Sequence, residues 1–376
     1  MKPIKILYIS HTDKVSGGEK SVFQYIQQLH REKYEQMLLC PAQGMLSQFA
    51  EQQHVPVTFH TMRLFSLRKP WQYCADLFWL IIFLKQQNIQ LMHGMNFYTA
   101  QLAGIASRVT GVPLIIHGQN IFSREEAKKE VKRNCLRYCQ KILVCSEAVA
   151  EPLRPLLPKK KLAVLYHSII IPDPIPKKNY FLHNELGVSK KTKIIAHIGL
   201  LEERKCQDVL IHAAKDVLQK HKDILFLLIG DALFGGNDFK EKLMRLVHEL
   251  GLEKNVYLLG HRDDITKIMP ELDIVTLPSY NEPLAMVTLE ACSYARPYIG
   301  AHTGGTSEIL HDKESALLVP PKDKEKLAAA ISYFLEHPKE AEAMGRKARE
   351  AIKEYCDVKK NSTKLFTIYD SFLKFI

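Results

Sequence analysis

The sequence predicts an α/β protein of two doubly wound domains, each a parallel sheet covered by helices on both faces. Three observations carry this. Short apolar, strand-like runs alternate with helical patterns along all 376 residues, and such alternation builds parallel sheets through helical crossovers. The alternation stops once, at "IPDPIPKKNYF", where three prolines in five residues, followed by lysines, break both patterns before they restart. Apolar residues make up 46% and charged residues 25% of the chain, a balance that fills two ordinary cores and keeps a soluble surface.

The elements follow in order. "IKILYIS" reads as the first strand and leads into a helix from about Glu19 to Leu29. "YEQMLLC" precedes a helix holding "LSQFAEQQ"; "IQLMHGM" precedes "AQLAGIASRVTG". "PLIIHGQ" precedes a charged helical stretch, Arg124–Tyr138, and "KILVCS" precedes "EAVAEPLRP". "KLAVLYHS" closes a first domain over residues 1–172. After the proline-rich break the strands "KIIAHIG", "ILFLLIGD", "NVYLLG", "DIVTLP", "PYIGA" and "ALLVP" alternate with helices, giving a second domain over 180–357. The last helix, about 358–376, is expected to pack back on the first domain. Ligands of such sheets bind beyond the carboxyl ends of the strands, so a cleft between the domains is the expected active site.

Composition excludes several classes. The N-terminus lacks the long apolar region and small-residue cleavage site of a signal peptide. The longest apolar run, Leu77–Leu84, is far short of the roughly 18–20 residues that span a bilayer. A cytoplasmic chain is therefore expected, with peripheral contact on the inner face of the membrane. Cys40, Cys74, Cys135, Cys139, Cys145, Cys206, Cys292 and Cys356 form no CxxC; Cys135 and Cys139 share a predicted helix face with no histidine pair beside them. With no HExxH and no Asp-x-Asp, no metal site and no cofactor is expected. A dehydrogenase is disfavoured because no G-x-G-x-x-G follows either first strand.

The net charge of +11 is unevenly placed. Residues 1–178 hold 24 Lys+Arg against 12 Asp+Glu, whereas the remainder holds 28 against 29. The first domain alone therefore favours an anionic surface or a polyanionic partner; nucleic acid is not among the expected partners. Within it, "RLFSLRKPWQYCADLFWLIIFLK" combines basic residues, two Trp and a bulky apolar run. It reads either as an interfacial helix on anionic lipid or as a helix packed on the sheet.

The segment richest in chemistry is "PSYNEPLAMVTLEA", residues 278–291. Glu282 and Glu290 lie within it, separated by seven residues. Pro283 suits a first helical turn, and a helix starting there turns free N–H groups and a positive dipole end to a diphosphate. At 1.5 Å per residue the two carboxylates lie ~12 Å apart, enough to touch opposite ends of a nucleotide sugar. "GGTSEI" follows at 304–309, and its paired glycines permit a close backbone approach. His93, His167, His197 and His261 stand near strand ends, where they line a site or brace one.

The order "HIGLLEERKCQDVLIHAA", "LLIGDALF", "GHRDDI", "ELDIVTLPS", "EPLAMVTLEA" and "GGTSEI" resembles the C-terminal half of the family 4 glycosyltransferases of GT-B fold, the glycosyl transferases group 1. "SGGEKSVFQYIQQL" and "VPLIIHGQN" resemble that family's Gly-Gly loop and active-site histidine segment. The resemblance implies two Rossmann-like domains and a retaining, metal-independent transfer of a sugar from a nucleoside diphosphate, a UDP-sugar by family frequency. The acceptor it implies is lipid-linked, a polysaccharide or another cell-envelope glycan.

It also implies residue roles. Glu282 would contact the transferred sugar and His117 its reactive side. Glu290 would hold the ribose, and the backbone of Leu284, Ala285 and Met286 would meet the sugar and diphosphate. Lys205 and Arg204 would neutralise the leaving diphosphate, Gly17 and Gly18 would admit phosphate, and Gly260, His261 and Arg262 would border the base. The sequence departs from the family pattern at Leu200, where Arg is frequent, and at Cys206, Ala285 and Ala295, where Gly is usual. Leu200 favours the competing reading, a non-catalytic sugar-nucleotide-binding or scaffold protein; Glu282, Glu290 and Lys205 oppose it.

Overall fold

The computed structural model describes residues 3–373 except 31, 135 and 233–237, and in it the apolar runs become two wholly parallel sheets. Two compact units result: Met1–Ile170 with Asp357–Ile376, and Ile171–Cys356.

In the first unit, β1 (Ile4–Ile9), α1 (Gly17–Gln27), β2 (Tyr34–Cys40), α2 (Met45–Gln52) and β3 (Val57–Phe59) form one wing of the sheet. The chain crosses through α3 (Pro70–Gln86) to β4 (Leu91–Gly94), then continues as α4 (Ala100–Thr110), β5 (Leu114–Gly118), α5 (Arg124–Arg133), β6 (Lys141–Val144), α6 (Glu147–Ala150) and β7 (Leu162–Val164). The strand order is β3-β2-β1-β4-β5-β6-β7, so the direction of winding reverses between β1 and β4. Alternate residues of β1 serve opposite cores. Ile6 and Tyr8 join α1, while Leu7 and Ile9 join α3 and α4, as the two-residue period of a strand requires.

The second unit opens with α7 (Phe181–Glu185) and β8 (Lys193–Ile198), followed by α8 (Gln207–Lys220), β9 (Ile224–Ile229), α9 (Asp238–Glu249) and β10 (Val256–Gly260). It returns through α10 (Ile265–Ile268) to β11 (Ile274–Leu277), α11 (Met286–Ser293), β12 (Tyr298–Ala301), α12 (Thr306–Ile309) and β13 (Leu317–Val319), and ends on α13 (Lys324–Glu336) and α14 (Pro338–Tyr355). The order β10-β9-β8-β11-β12-β13 puts its reversal between β8 and β11. All six residues of β9, Ile-Leu-Phe-Leu-Leu-Ile, are buried, the mark of a strand covered on both faces.

The last helix, α15 (Val358–Leu373), belongs to the first unit. Its Leu365 and Tyr369 are fully buried in the α1 core. The Tyr369 hydroxyl lies 2.5 Å from His93 Nδ1 and 3.4 Å from the Tyr8 hydroxyl, and Asp370 accepts from Tyr34 and Lys33 at 2.5 and 2.6 Å.

Two local expectations are corrected. The helix expected over Arg124–Tyr138 stops at Arg133, and a 3-10 turn, Leu136–Tyr138, follows it. Cys139 thus lies beyond any helix, and Cys135 lies outside the described residues. The stretch after β9 is described only to Ala232, so Leu233 and Phe234 also fall outside.

Candidate active site

Both reversal points gather polar side chains, as open parallel sheets do where neighbouring crossovers part to opposite faces. In the second unit, β8 ends in Gly199 at φ 158°, and the chain runs through a short 3-10 turn holding Arg204 and Lys205. β11, the neighbour across the reversal, delivers Glu282. Lys205 Nζ donates to Glu282 Oε2 at 2.6 Å, and Arg204 donates to the same oxygen at 3.1 Å. Glu282 and Lys205 are 6% and 7% exposed. A carboxylate so far from water is tolerable only because it is paired. Arg204 also grips Glu202 at 2.7 Å.

The turn is braced from beneath. His197 Nε2 donates to the Lys205 carbonyl at 2.8 Å, and burial pushes its pKa down to about 4, so it stands as a neutral donor at pH 7. Tyr280 N–H donates to the Arg204 carbonyl. Cys206, where the family prefers glycine, adopts φ 57°, and Ala295 adopts φ 54°. Both take a left-handed conformation that glycine reaches without strain.

The helix expected from Pro283 begins at Met286 instead, with Ala285 as its N-cap residue. Glu282, Pro283 and Leu284 form the approach to it. Thr288 and Leu289 N–H groups turn back to the Ala285 carbonyl, so the N–H groups that precede them at the start of α11 stand outside the helix's own hydrogen bonds. The Gly-Gly segment holds the approach to α11. Gly305 N–H bonds the Pro283 carbonyl at 2.9 Å and the Glu282 carbonyl at 3.3 Å, fixing the backbone that presents the carboxylate. Gly304, at φ 58°, supplies the turn. Glu290 lies on α11, half-buried.

Gly260 ends β10 at φ 70°, and its carbonyl accepts from Gly230 N–H. His261 pairs with Asp263 at 3.0 Å on the surface. Arg262 is spent on its own chain: it bonds Asp264 at 2.8 Å and Glu185 at 2.5 Å, and these carboxylates raise its pKa further.

In the first unit Gly17 and Gly18 open α1 behind Ser16, whose hydroxyl and N–H both pair with Glu19. A Cβ on Gly18 would lie 1.3 Å from Gln119 Oε1, so the side chain after β5 closes over the helix start. His117 is fully buried, stacked 5.8 Å from His93 and 6.1 Å from Tyr25, and neither ring nitrogen has a partner among the described residues. Burial first, then His93 and His167, hold its pKa well below the usual value.

The reversal point of this unit also carries a pair that sequence reasoning missed. Asn96, after β4, lies 2.6 Å from His11 Nδ1, after β1. His11 lines a cavity of about 350 Å3 whose walls also include Met62, Arg63, Leu64, Tyr98, Thr99 and Leu102. The signal was available: a polar residue stands two positions beyond each of the two apolar strands flanking the reversal.

Two doubly wound sheets, the second with a cation-held carboxylate ahead of a helix start, define a two-domain nucleotide-binding transferase architecture. Comparison with known proteins supplies the family. The model for Glycosyltransferase Family 4 matches residues 15–171, and that for Glycosyl transferases group 1 matches 179–351. The chain belongs to the family 4 glycosyltransferases and has their GT-B fold.

Among relatives, the UDP-Gal:alpha-D-GlcNAc-diphosphoundecaprenol alpha-1,3-galactosyltransferase of Escherichia coli is 23% identical over 97% of this chain and 96% of its own length. The D-inositol 3-phosphate glycosyltransferase of Corynebacterium aurimucosum is 30% identical over 46% of this chain, a match spanning 41% of that protein. The crystal structure of Anabaena HepE in complex with UDP and glucose aligns with 98% of this chain and 100% of its own, at a TM-score of 0.86 and 24% identity.

Proposed function

We propose that this chain transfers a sugar from a UDP-sugar to a lipid-linked or other cell-envelope glycan, with retention of anomeric configuration and without a metal ion. The observation that carries the reading is the Lys205–Glu282–Arg204 cluster at the reversal point of the second sheet, ahead of the start of α11. Lys205 has three ammonium hydrogens and gives one to Glu282. The others, with Arg204 and the first N–H groups of α11, are the donors for a diphosphate. Glu282, held rigid, is the acceptor for a sugar hydroxyl. Relatives favour UDP: HepE is solved with UDP-glucose, and the E. coli relative takes UDP-Gal.

In the step proposed, the acceptor hydroxyl attacks the anomeric carbon on the face the phosphate leaves. The new C–O bond forms as the C1–O bond to phosphate breaks, and the hydroxyl proton passes to the departing phosphate oxygen. Lys205 and Arg204 stabilise the charge that collects there. The cavity lined by His11, Arg63 and Tyr98 is proposed to take the acceptor, and the protein is proposed to sit peripherally on an anionic membrane.

Thermal-shift measurements against UDP, GDP and ADP test the donor. UDP at 100 times its dissociation constant should stabilise the chain by roughly 2.7 kcal/mol, and UDP-sugars should release UDP when an acceptor extract is added. Absence of any nucleotide shift would remove the reading. A UDP shift without sugar release from any donor would favour a binding protein.

A further inference from the structure

One side of α3 faces outward uncovered. Trp71, Cys74, Ala75 and Phe78 recur at helical spacing and are exposed, whereas Tyr73, Asp76, Leu80 and Leu84 are buried. Lys85 ends the exposed stripe. The segment before the helix adds Leu64, Phe65 and Leu67, the last 87% exposed. Large apolar residues on a soluble surface occur singly; gathered between Leu64 and Phe78, they mark an interaction site.

The segment is held in place. Asp76, buried on the inner side of α3, accepts from the Arg63 guanidinium at 2.9 Å and the Arg63 N–H at 3.1 Å, with His60 at 3.2 Å. His60 in turn stacks on Trp79 with ring centres 3.8 Å apart, and Phe65 N–H donates to Gln101 at 2.6 Å. Residues 64–69 are thereby presented outward.

Charge identifies the occupant. Between Glu51 and Glu125 the only acidic residue is Asp76, which is buried, while Arg63, Arg68, Lys69, Lys85, Arg108 and Arg124 are basic. Apolar residues fringed by cations, with no exposed anion, match an anionic lipid surface. A second copy of the same face would bring like charges together. The described helices include none long and apolar enough to cross a membrane, so α3 lies along the surface.

We infer that Leu64, Phe65, Leu67, Trp71 and Phe78 dock this chain on an anionic phospholipid bilayer, with Arg68, Lys69 and Lys85 meeting lipid phosphates. The inference rests on the proposed lipid-linked acceptor and deepens it. Leu64 belongs both to the cavity wall and to the docking segment, and Met62 and Arg63 continue that wall directly before it, so an acceptor anchored in the bilayer enters the cavity from the side that meets lipid.

Cys74 is the exposed cysteine among those described, and an environment-sensitive fluorophore on it reports the face directly, in the full-length chain carrying Cys135→Ser. Vesicles of phosphatidylcholine with phosphatidylglycerol should shift its emission to the blue and carry the protein upward in flotation; pure phosphatidylcholine should do neither. Trp71→Ser with Phe78→Ser should abolish the shift. Arg68→Gln and Lys69→Gln should each lower partitioning about five-fold. All variants should keep their UDP thermal shift, which shows that they fold.

Equal partitioning onto the two vesicle types, or partitioning indifferent to these substitutions, would overturn the inference. So would a drop in solution mass on Trp71→Ser with Phe78→Ser, which would assign the face to a second copy. Vesicle binding is read without donor or acceptor. A chain that floats but never releases UDP therefore defeats the transfer reading alone, and one that transfers sugar but does not float defeats this inference alone.

Discussion

Lys205 and Glu282 depend on each other in two ways, and substitution separates them. Lys205→Ala removes a preorganised cation from the leaving group, which should cost about 100-fold or more in turnover. It also weakens the pairing of a buried carboxylate, so the melting temperature should fall. Adding Glu282→Gln should restore the melting temperature and leave turnover low. Glu290→Ala should raise KM for donor while sparing turnover, because ribose contacts are common to ground and transition states. Near-normal turnover in Lys205→Ala would place the phosphate site elsewhere.

The buried histidines set a pH dependence. His93 and His197 are pushed down to about 3 and about 4 by burial, and His117 follows the same direction. Each folded pKa lies below the unfolded value near 6.5. The unfolded chain therefore binds more protons as pH falls below 6.5, and stability drops by up to about 1.4 kcal/mol per pH unit for each histidine. Melting curves from pH 7.5 to 4.5 should show this loss beginning near 6.5; a flat profile would mean that the rings are hydrated. The sequence marked His93 and His197 by their place near strand ends and His117 through the family resemblance, but only the packing of Tyr25, Tyr8 and Tyr369 shows how deep His93 and His117 lie.

Among the elements, the loop between β11 and α11 shows what a linear pattern hides. Proline after glutamate reads as a first helical turn, yet the helix waits until Met286 because Gly305, from a later segment, takes the Glu282 and Pro283 carbonyls. Only tertiary contacts decide this. Gly304→Ala forces a side chain into φ 58°, at a cost of about 1–2 kcal/mol, and should lower turnover by loosening Glu282. Ala295→Gly does the reverse, relieving φ 54°, and should gain roughly 0.5–1 kcal/mol. An unchanged melting temperature in both variants would show that neither turn is strained. The helix α3 was legible as either interfacial or packed on the sheet, without showing which residues face which way. Its division into a buried side and an uncovered side appears once α4 has packed against it.

For the molecule as a whole, alternation of strand and helix made both parallel sheets legible, since parallel strands need crossovers and crossovers need helices. Strand order was not legible, because nothing in β1 or β8 announces which neighbour it takes, and with it went the His11–Asn96 pair. The contribution of α15 is likewise a matter of distance along the chain: Tyr369 meets His93 across 276 residues. Tyr369→Phe leaves His93 Nδ1 buried without that bond and should destabilise by about 1–3 kcal/mol. A stability equal to wild type in chemical denaturation would show that α15 holds by its apolar side chains alone.

That long reach also fixes an order in time. A ribosome releases the strands of the first sheet early, but the helix carrying Leu365 and Tyr369 emerges only after all of residues 171–356. At roughly 5–20 residues per second, the second unit can be complete while the first is still waiting. During that interval of roughly 10–40 s, the apolar surface of α1 that α15 will cover stays open on a nascent chain. The half of the protein made first is thus the half finished last, and the stretch most exposed to premature association is the one whose remedy is still being translated.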